Sequence, residues 1–349
     1  METKIIRIDE QHIDQALIKE AGDVIRAGGL VAFPTETVYG LGGDALNPRS
    51  SEKIYRAKGR PSDNPLIVHI ADMEALDAVV REVPESGRRL AERFWPGPLT
   101  MIFHKAGCVP EETTGGLDTV AVRMPSHPVA RALIRAAGGY VAAPSANRSG
   151  RPSPTVAKYV TEDMDGRIEM ILDGGDVEIG LESTIIDLTA DEPMILRPGY
   201  ITKQMLGEVL SDVEEDCTMM RDDSGQAPKA PGMKYRHYAP RGDLTIVAGE
   251  EDRVVEYINT QAASGQNKNK KTGVIATDTS VAKYHVQVCR SAGNREDEST
   301  IARELYRILR EFDDEQVEVI YAESFDTAGI GQAIMNRLLK AAGHKVVRV

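Results

Sequence analysis

Between residues 211 and 240 the sequence loses the periodic spacing of apolar residues that it shows on either side. Residues 211–226 are acidic and polar, and residues 228–240 are rich in proline and in basic or aromatic side chains, a composition typical of a linker. A chain of 349 residues also exceeds what one hydrophobic core usually accommodates. We therefore expect two domains, at residues 1–210 and 243–349, joined by a linker at residues 211–242.

Residues 1–210 mix short apolar runs, which predict buried strands, with stretches of helical spacing. A first helix is predicted from Asp14 to Ala27, and Gly28 and Gly29 end it. The other predicted elements are a helix at 127–137 and strands at 30–33, 66–70, 99–103, 119–124, 140–143, 170–172 and 184–188. Because this order lacks the regular βαβ rhythm of a doubly wound sheet, we predict a twisted mixed sheet with flanking helices.

Residues 243–349 alternate regularly between strands and helices. The predicted elements are strands at 244–248, 273–276 and 317–322 and helices at 253–263, 301–312 and 330–342. This alternation predicts a smaller, Rossmann-like α/β domain. The fold class predicted for the whole chain is therefore α/β.

Charge and cysteine content narrow the class of protein. The formal net charge of -12 argues against non-specific binding of nucleic acid through overall charge, although a local basic cleft remains compatible with it. The three cysteines, Cys108, Cys217 and Cys289, are far apart and lack zinc spacing, which favours a reducing compartment. The polar N-terminus is unlike a signal peptide, and no apolar run approaches the ~20 residues of a membrane span. We expect a cytoplasmic protein with no membrane partner.

A glycine-rich segment follows the strand predicted at 30–33. Gly40 to Ala45 formally matches the G-x-G-x-x-A dinucleotide fingerprint, but that fingerprint requires the strand to run directly into the first glycine. Pro34 and five further residues intervene here. We therefore favour a glycine-rich turn over a dinucleotide site, and the sequence has no P-loop motif either.

Two short segments carry polar groups suited to anions. Lys58 and Arg60 stand where Gly59 and Pro61 end a predicted helix, so they either complement the helix dipole or extend from the turn toward phosphate oxygens. Ser145 and Asn147 follow the strand at 140–143 and offer compact hydrogen-bonding groups, although both are also common turn residues.

Further candidates are weaker when taken singly. His69 lies in an apolar strand and is either a core histidine or part of a cleft. Arg123 ends a strand, where a buried arginine requires an anion. Ser183 and Arg197 lie in short polar segments near predicted strands.

Taken together and in order, seven segments resemble the YrdC-like family over about residues 16–201. They are FPTETVYGLGGDA, KGRPSDNPL, FWPGPLT, VAVRMPSHP, PSANRSGRPSPT, GLESTIIDL and ILRPGY. The family's members include L-threonylcarbamoyladenylate synthases, and the linker with its α/β tail resembles the long, two-domain form of that enzyme.

The resemblance implies a concave, positively charged cavity on the twisted sheet. It implies an enzyme, a nucleotidyltransferase, that joins L-threonine, bicarbonate and ATP into threonylcarbamoyl-AMP with release of pyrophosphate, using Mg²⁺ with ATP. The product would pass to a tRNA threonylcarbamoyl transferase complex that modifies the adenosine beside the anticodon in tRNAs reading A-starting codons. A weak contact with tRNA itself is also implied.

The resemblance further implies roles for single residues. Its signature is two pairs, which we take as the catalytic centre: Lys58, Arg60, Ser145 and Asn147. The residues implied to bind ATP are Lys58, Ser62, Thr119, Ser145, Ser153, Arg197 and the linker residue Tyr235. Those implied to bind threonine are Thr35, His69, Arg123 and Ser183. No protein ligand for a metal is implied, and the linker around Tyr235 is either an active-site lid or a passive tether.

Three other interpretations stay open at this point. The cavity could belong to an RNA-binding module, although the acidic balance argues against it. A carbamoyltransferase of the hydrogenase-maturation type shares the domain, but that type requires zinc-finger cysteines that this sequence lacks. The tail could also be a regulatory or partner-docking module.

Overall fold

The computed structural model describes residues 2–216, 237–264, 267 and 269–349. In this part of the chain two β-sheets organise the fold: an 11-stranded mixed sheet and a 5-stranded sheet. The predicted α/β class and the mixed N-terminal sheet are confirmed. The domain boundaries at residues 210 and 242 remain predictions.

The first sheet has the strand order β1-β8-β2-β3-β7-β4-β6-β5-β9-β10-β11 and contains both parallel and antiparallel pairs. Its strands are β1 (Lys4–Arg7), β2 (Val31–Phe33), β3 (Gly40–Asp44), β4 (Ile67–His69), β5 (Leu99–His104), β6 (Thr119–Arg123), β7 (Val141–Ala142), β8 (Met170–Asp173), β9 (Thr184–Asp187), β10 (Met194–Arg197) and β11 (Glu214–Glu215). The helices around it are α1 (Gln15–Arg26), α2 (Pro48–Lys58), α3 (Leu76–Val79), α4 (Glu85–Phe94), α5 (Glu111–Thr114), α6 (Pro128–Ala136), α7 (Ala157–Met164) and α8 (Lys203–Gly207), with a short 3-10 helix at Met73–Ala75.

Helix α1 shows how local sequence sets these elements. The Asp14 side chain accepts hydrogen bonds from the amides of Ala16 and Leu17, which caps the helix where the apolar spacing predicts its start. Gly22 lies where α1 crosses α6, and a Cβ added there would stand 2.6 Å from the backbone carbon of Ala136. Only glycine permits this close approach of the two helices.

The glycine-rich segment at 40–45 forms strand β3 rather than the turn we expected. It pairs with β2 and β7, and a Cβ added at Gly42 would lie 2.8 Å from the Phe33 ring and 2.9 Å from Val141. The Phe33 side chain on the neighbouring strand thus occupies the space that a side chain on β3 would need. Packing therefore requires glycine at this position of β3.

The second sheet is all parallel and has the order β14-β13-β15-β12-β16. Its strands are β12 (Asp243–Ala248), β13 (Thr272–Ala276), β14 (Val288–Ser291), β15 (Val319–Glu323) and β16 (Val346–Arg348). Its helices are α9 (Glu251–Ala263), α10 (Glu298–Asp314) and α11 (Gly329–Ala341), with a 3-10 helix at Val281–Lys283. The parallel α/β domain is as predicted, although its first and fourth strands are exchanged relative to the dinucleotide-binding order.

The hydrophobic cores are not fully separate. Val38 and Leu181 of the N-terminal part belong to the same buried cluster as Ile301 and Leu305 of α10. The second domain therefore packs directly against loops of the first. Among the described residues, no helix combines the length and apolarity needed to cross a bilayer.

Candidate active site

One cavity lies where the loops after several strands of the first sheet meet the second domain. The structure places nine of the residues singled out from the sequence around it: Thr35, Lys58, Arg60, His69, Arg123, Ser145, Asn147, Ser183 and Arg197. Ser62 is exposed in the turn after α2, and Thr119 begins the strand that Arg123 ends, so neither lines the cavity. Ser153 lies behind the wall, and Tyr235 lies outside the described residues.

Lys58 joins the two loops that carry the signature pairs. It is the last residue of α2, which ends because Gly59 adopts a left-handed backbone (φ 64). Its ammonium, on a side chain only 3% exposed, donates to the carbonyls of Ser145 (2.5 Å) and Asn147 (2.6 Å). The Ser145 hydroxyl in turn donates to Asn147 Oδ1 at 2.5 Å. Burial, with Arg60 nearby, holds the pKa of Lys58 well below its usual range.

Arg60 presents an unused donor. Its Nη2 donates to the side-chain and backbone oxygens of Asn64 (2.6 and 3.2 Å) and to the Pro65 carbonyl (3.0 Å). Its Nε is buried without a hydrogen-bond partner in the described part of the chain, and burial lowers the pKa of this residue to about 10. A half-buried guanidinium with an unpartnered Nε–H in the lining of a cavity suits an anionic ligand.

His69 and Arg123 meet because they end neighbouring parallel strands. They are directly paired in the register of β4 and β6, so both side chains reach the same edge of the sheet. Arg123 forms a buried ion pair with Glu36 (Nη2 to Oε1, 2.7 Å) and donates to the Thr37 hydroxyl at 2.9 Å. Burial and the charge of Arg123 lower the pKa of His69 to about 3, so its ring is neutral.

A third arginine of the cavity, Arg197, lies beside hydroxyl groups near the Arg123 end, where Thr100 is paired with Arg123. Arg197 Nε donates to the Ser183 carbonyl (3.0 Å), and its Nη2 donates to the Ser183 hydroxyl (3.1 Å). That hydroxyl lies 2.7 Å from the Thr100 hydroxyl. Burial lowers the pKa of Arg197 to about 10. Hydrogen bonds therefore link Thr100 on β5, Ser183 just before β9 and Arg197 on β10 into one fixed polar group.

Sequence reasoning missed several residues that shape the cavity. Thr37 and Glu182 line it, and Glu36 lies behind Arg123. His237 and Tyr238 also line it, but they belong to the linker around Tyr235 for which a lid was considered. Glu36 could have been suspected because it stands between two threonines in the Thr-Glu-Thr run. Glu182 gave no local signal, since its partners come from other parts of the chain.

Glu182 is the carboxylate among the described lining residues, and it is fully engaged. It accepts hydrogen bonds from Ser153 (2.6 Å), Tyr306 (2.9 Å) and Arg337 (2.9 Å). Burial raises its pKa, but Arg337 and Arg197 outweigh this effect and lower the pKa to about 2. In the described part of the chain no group of three or more His, Cys, Asp or Glu residues could hold a metal.

The cavity thus gathers four basic side chains, Lys58, Arg60, Arg123 and Arg197, in a chain of net charge -12. Hydroxyls and a neutral histidine complete it. Such a lining suits a polyanionic substrate beside a small polar one. Fold and cavity together are those of a two-domain α/β enzyme that acts on a nucleotide.

Comparison with known proteins agrees with that class. The Sua5/YciO/YrdC family model, described as telomere recombination, matches residues 23–199. The model described as the C-terminal domain of threonylcarbamoyl-AMP synthase matches residues 201–343. The threonylcarbamoyl-AMP synthase of Bacillus subtilis (strain 168) is 47% identical over 97% of this chain and 97% of that protein. The one from Pyrococcus abyssi is 46% identical over 99% of this chain and 100% of that protein.

A solved structure matches over both domains. The crystal structure of P. abyssi Sua5 complexed with L-threonine aligns with a TM-score of 0.94 and 46% identity, covering 99% of this chain and 100% of that one. The chain therefore belongs to the Sua5/YrdC family, in its two-domain threonylcarbamoyl-AMP synthase form. The predicted family, enzyme class and activity are confirmed.

Proposed function

We propose that the cavity is where this chain joins L-threonine, bicarbonate and ATP into threonylcarbamoyl-AMP and pyrophosphate. The observation that carries the proposal is the convergence of Lys58, Arg60, Arg123 and Arg197 on one cavity of an acidic protein. The overlap with the threonine-complexed P. abyssi structure supports threonine as a substrate.

The reaction proceeds by positioning and charge stabilisation. The threonine amine attacks CO₂ or bicarbonate and gives a carbamate, with loss of water in the case of bicarbonate. A carbamate oxygen then attacks the α-phosphorus of ATP, and pyrophosphate leaves. Negative charge builds up on the phosphoryl oxygens, and fixed cations and N–H donors stabilise it without reorganisation. No covalent bond to the enzyme is required.

Threonine binds at the end of the cavity where β4 and β6 terminate. Arg123 is the partner for its carboxylate, and Thr35 and Ser183 surround it. His69 Nδ1 lies 3.1 Å from the Ile67 carbonyl, so it carries the proton and leaves Nε2 as an acceptor. A neutral His69 can then accept a hydrogen bond from the hydroxyl or amine of threonine.

The nucleotide binds on the side of Lys58, Ser145 and Arg197, with Arg60 and Asn147 between the two substrates. Ser153 contributes from behind Glu182. We retain Ser62, Thr119 and Tyr235 as nucleotide contacts from the family resemblance alone. Mg²⁺ arrives with ATP and neutralises part of the triphosphate charge.

The linker supplies a lid, and the product passes to a second enzyme. His237 and Tyr238, at the end of the linker, line the cavity, which supports a role in excluding water.

The product is a mixed carbamic–phosphoric anhydride that water hydrolyses, so it must be transferred promptly. We propose a cytoplasmic tRNA threonylcarbamoyl transferase complex as its recipient, with at most weak contact between this chain and tRNA.

Mass spectrometry of the products formed from ATP, threonine and bicarbonate tests the proposal. Threonylcarbamoyl-AMP should appear only with all three substrates, together with equimolar pyrophosphate. Arg60→Ala should abolish both products in a protein that still folds. Absence of threonylcarbamoyl-AMP from the wild-type reaction, or full activity of the folded Arg60→Ala protein, would refute it.

A further inference from the structure

Two arginines of the second domain are completely buried against the first domain. Arg337 on α11 pairs with Glu182 (Nε to Oε2, 2.9 Å), and Arg310 on α10 pairs with Asp163 (Nη2 to Oδ2, 2.6 Å). Arg310 also donates to the Pro152 carbonyl at 2.7 and 3.0 Å. Buried charges are tolerated only when paired, so Arg310 ties the second domain to helix α7 and Arg337 ties it to the loop that carries Glu182.

Glu182 connects the second domain to the cavity. One carboxylate oxygen accepts from Ser153 at 2.6 Å, while Arg337 and Tyr306 bind the carboxylate from the other domain. Burial and the adjacent Glu182 raise the pKa of Tyr306 well above its usual range, so its hydroxyl stays protonated and donates. The Glu182 carboxylate therefore has donors from both domains.

The backbone just before Glu182 packs closely against helix α10. Gly180 has φ 84, and a Cβ added there would stand 2.5 Å from the Cα of Arg303. The next residue, Leu181, is buried in the core of the second domain. The loop that carries Glu182 and Ser183 into the cavity thus takes its course from contacts with that domain.

The negative charge of Glu182 would oppose binding of the proposed substrate, ATP. Glu182 lines a cavity that receives a triphosphate, and an unpaired carboxylate there would repel it. Arg337 lies within hydrogen-bond distance of that carboxylate and is 0% exposed, so solvent does not screen the pair.

We propose that Arg337, with Tyr306, is a positioning residue for ATP: it neutralises Glu182 and holds it on Ser153, so that the second domain completes the nucleotide end of the cavity. This inference rests on the proposed function, since it assumes that ATP binds there. It assigns the second domain an electrostatic role in the reaction in addition to any role of the linker.

Steady-state kinetics of Arg337→Met, varying ATP and threonine separately, test the role. We expect KM for ATP to rise roughly tenfold, equivalent to about 1.4 kcal/mol, with KM for threonine nearly unchanged. The Glu182→Gln/Arg337→Met double variant removes the uncompensated charge and should recover most of the affinity for ATP. Glu182→Gln alone should not raise KM for ATP, because Gln still accepts from Ser153 and leaves a positive charge behind it.

Lys158→Met provides the matched control. Lys158 forms another ion pair between the domains, with Asp314 (2.6 Å), but it is 61% exposed and lies outside the cavity lining. Its loss should leave both KM values unchanged.

The outcomes separate this inference from the proposed function. If the wild type makes no threonylcarbamoyl-AMP, the function itself fails. If the wild type is active and folded Arg337→Met keeps a wild-type KM for ATP, the positioning role fails. If Arg337→Met does not fold, the double variant decides: recovery of ATP affinity supports the role, whereas a folded double variant with weak ATP affinity overturns it.

Discussion

Replacing Lys58 by methionine removes one ammonium group and keeps most of the side-chain volume. The ammonium is nearly inaccessible and donates to two backbone carbonyls, those of Ser145 and Asn147. These bonds hold the loop that carries Ser145 and Asn147 against the end of α2. The substitution therefore tests folding and chemistry at a single atom.

The expected loss of stability follows from the two carbonyls. A buried acceptor without its donor costs about 1–3 kcal/mol, so two cost about 2–6 kcal/mol. Part of this is offset, because burial of the charged ammonium is itself unfavourable, as the lowered pKa of Lys58 indicates. We expect the free energy of unfolding to fall by about 2–4 kcal/mol. Turnover should fall roughly 10²–10³-fold, the usual effect of removing one fixed donor from a developing negative charge.

Lys53→Met is the control on the same helix. Lys53 donates to one carbonyl, that of Gly28 at 2.5 Å, and lies outside the cavity lining. Urea unfolding and pyrophosphate release should both stay close to wild type. The reasoning is refuted if Lys58→Met retains turnover within tenfold of wild type, or if it costs no more stability than Lys53→Met.

Two further predictions concern the threonine end. Arg123→Gln should raise KM for threonine far more than KM for ATP, and equal rises in the two KM values would contradict the role of Arg123 in binding threonine. Adding Glu36→Gln to this variant should restore its stability but not its affinity for threonine. His69 in the unfolded chain binds a proton below pH 6.5, whereas His69 in the folded protein binds one only below about pH 3. Between these two values, each pH unit of acidification therefore lowers the free energy of unfolding by about 1.4 kcal/mol. His69→Gln should flatten the acid side of a plot of unfolding free energy against pH; an unchanged slope would show that His69 does not titrate as described.

The elements that the sequence predicted are helices with one apolar face and strands that are buried along nearly their whole length. Helices α1, α6 and α10 and the central strands were found within a few residues of their bounds. Four strands that it missed, β1, β11, β14 and β16, are the outermost strands of their sheets. Edge strands are partly exposed on several residues, as the pattern of β16 illustrates, so they carry weak apolar signals.

Strand β3 was misread for a different reason. Its glycines look like turn residues when the chain is read alone, yet they are required by Phe33 on the neighbouring strand. The signal for a strand therefore lay in the pairing partner rather than in the segment. Propensity cannot supply such information, because tertiary contacts override it.

The charged residues of the cavity were likewise only partly predictable from the sequence. Lys58, Arg60 and Arg123 could be nominated from sequence because they lie at or just after the end of a helix or strand, and Arg197 could be nominated from the family resemblance. Glu182 could not, because what makes it compatible with an anion site is Arg337, 155 residues away. A carboxylate would repel phosphate oxygens in such a cavity unless a positively charged partner is present. Burial of Glu182 in that cavity depends on the positive charges around it, of which Arg337 comes from the second domain and Arg197 from the first.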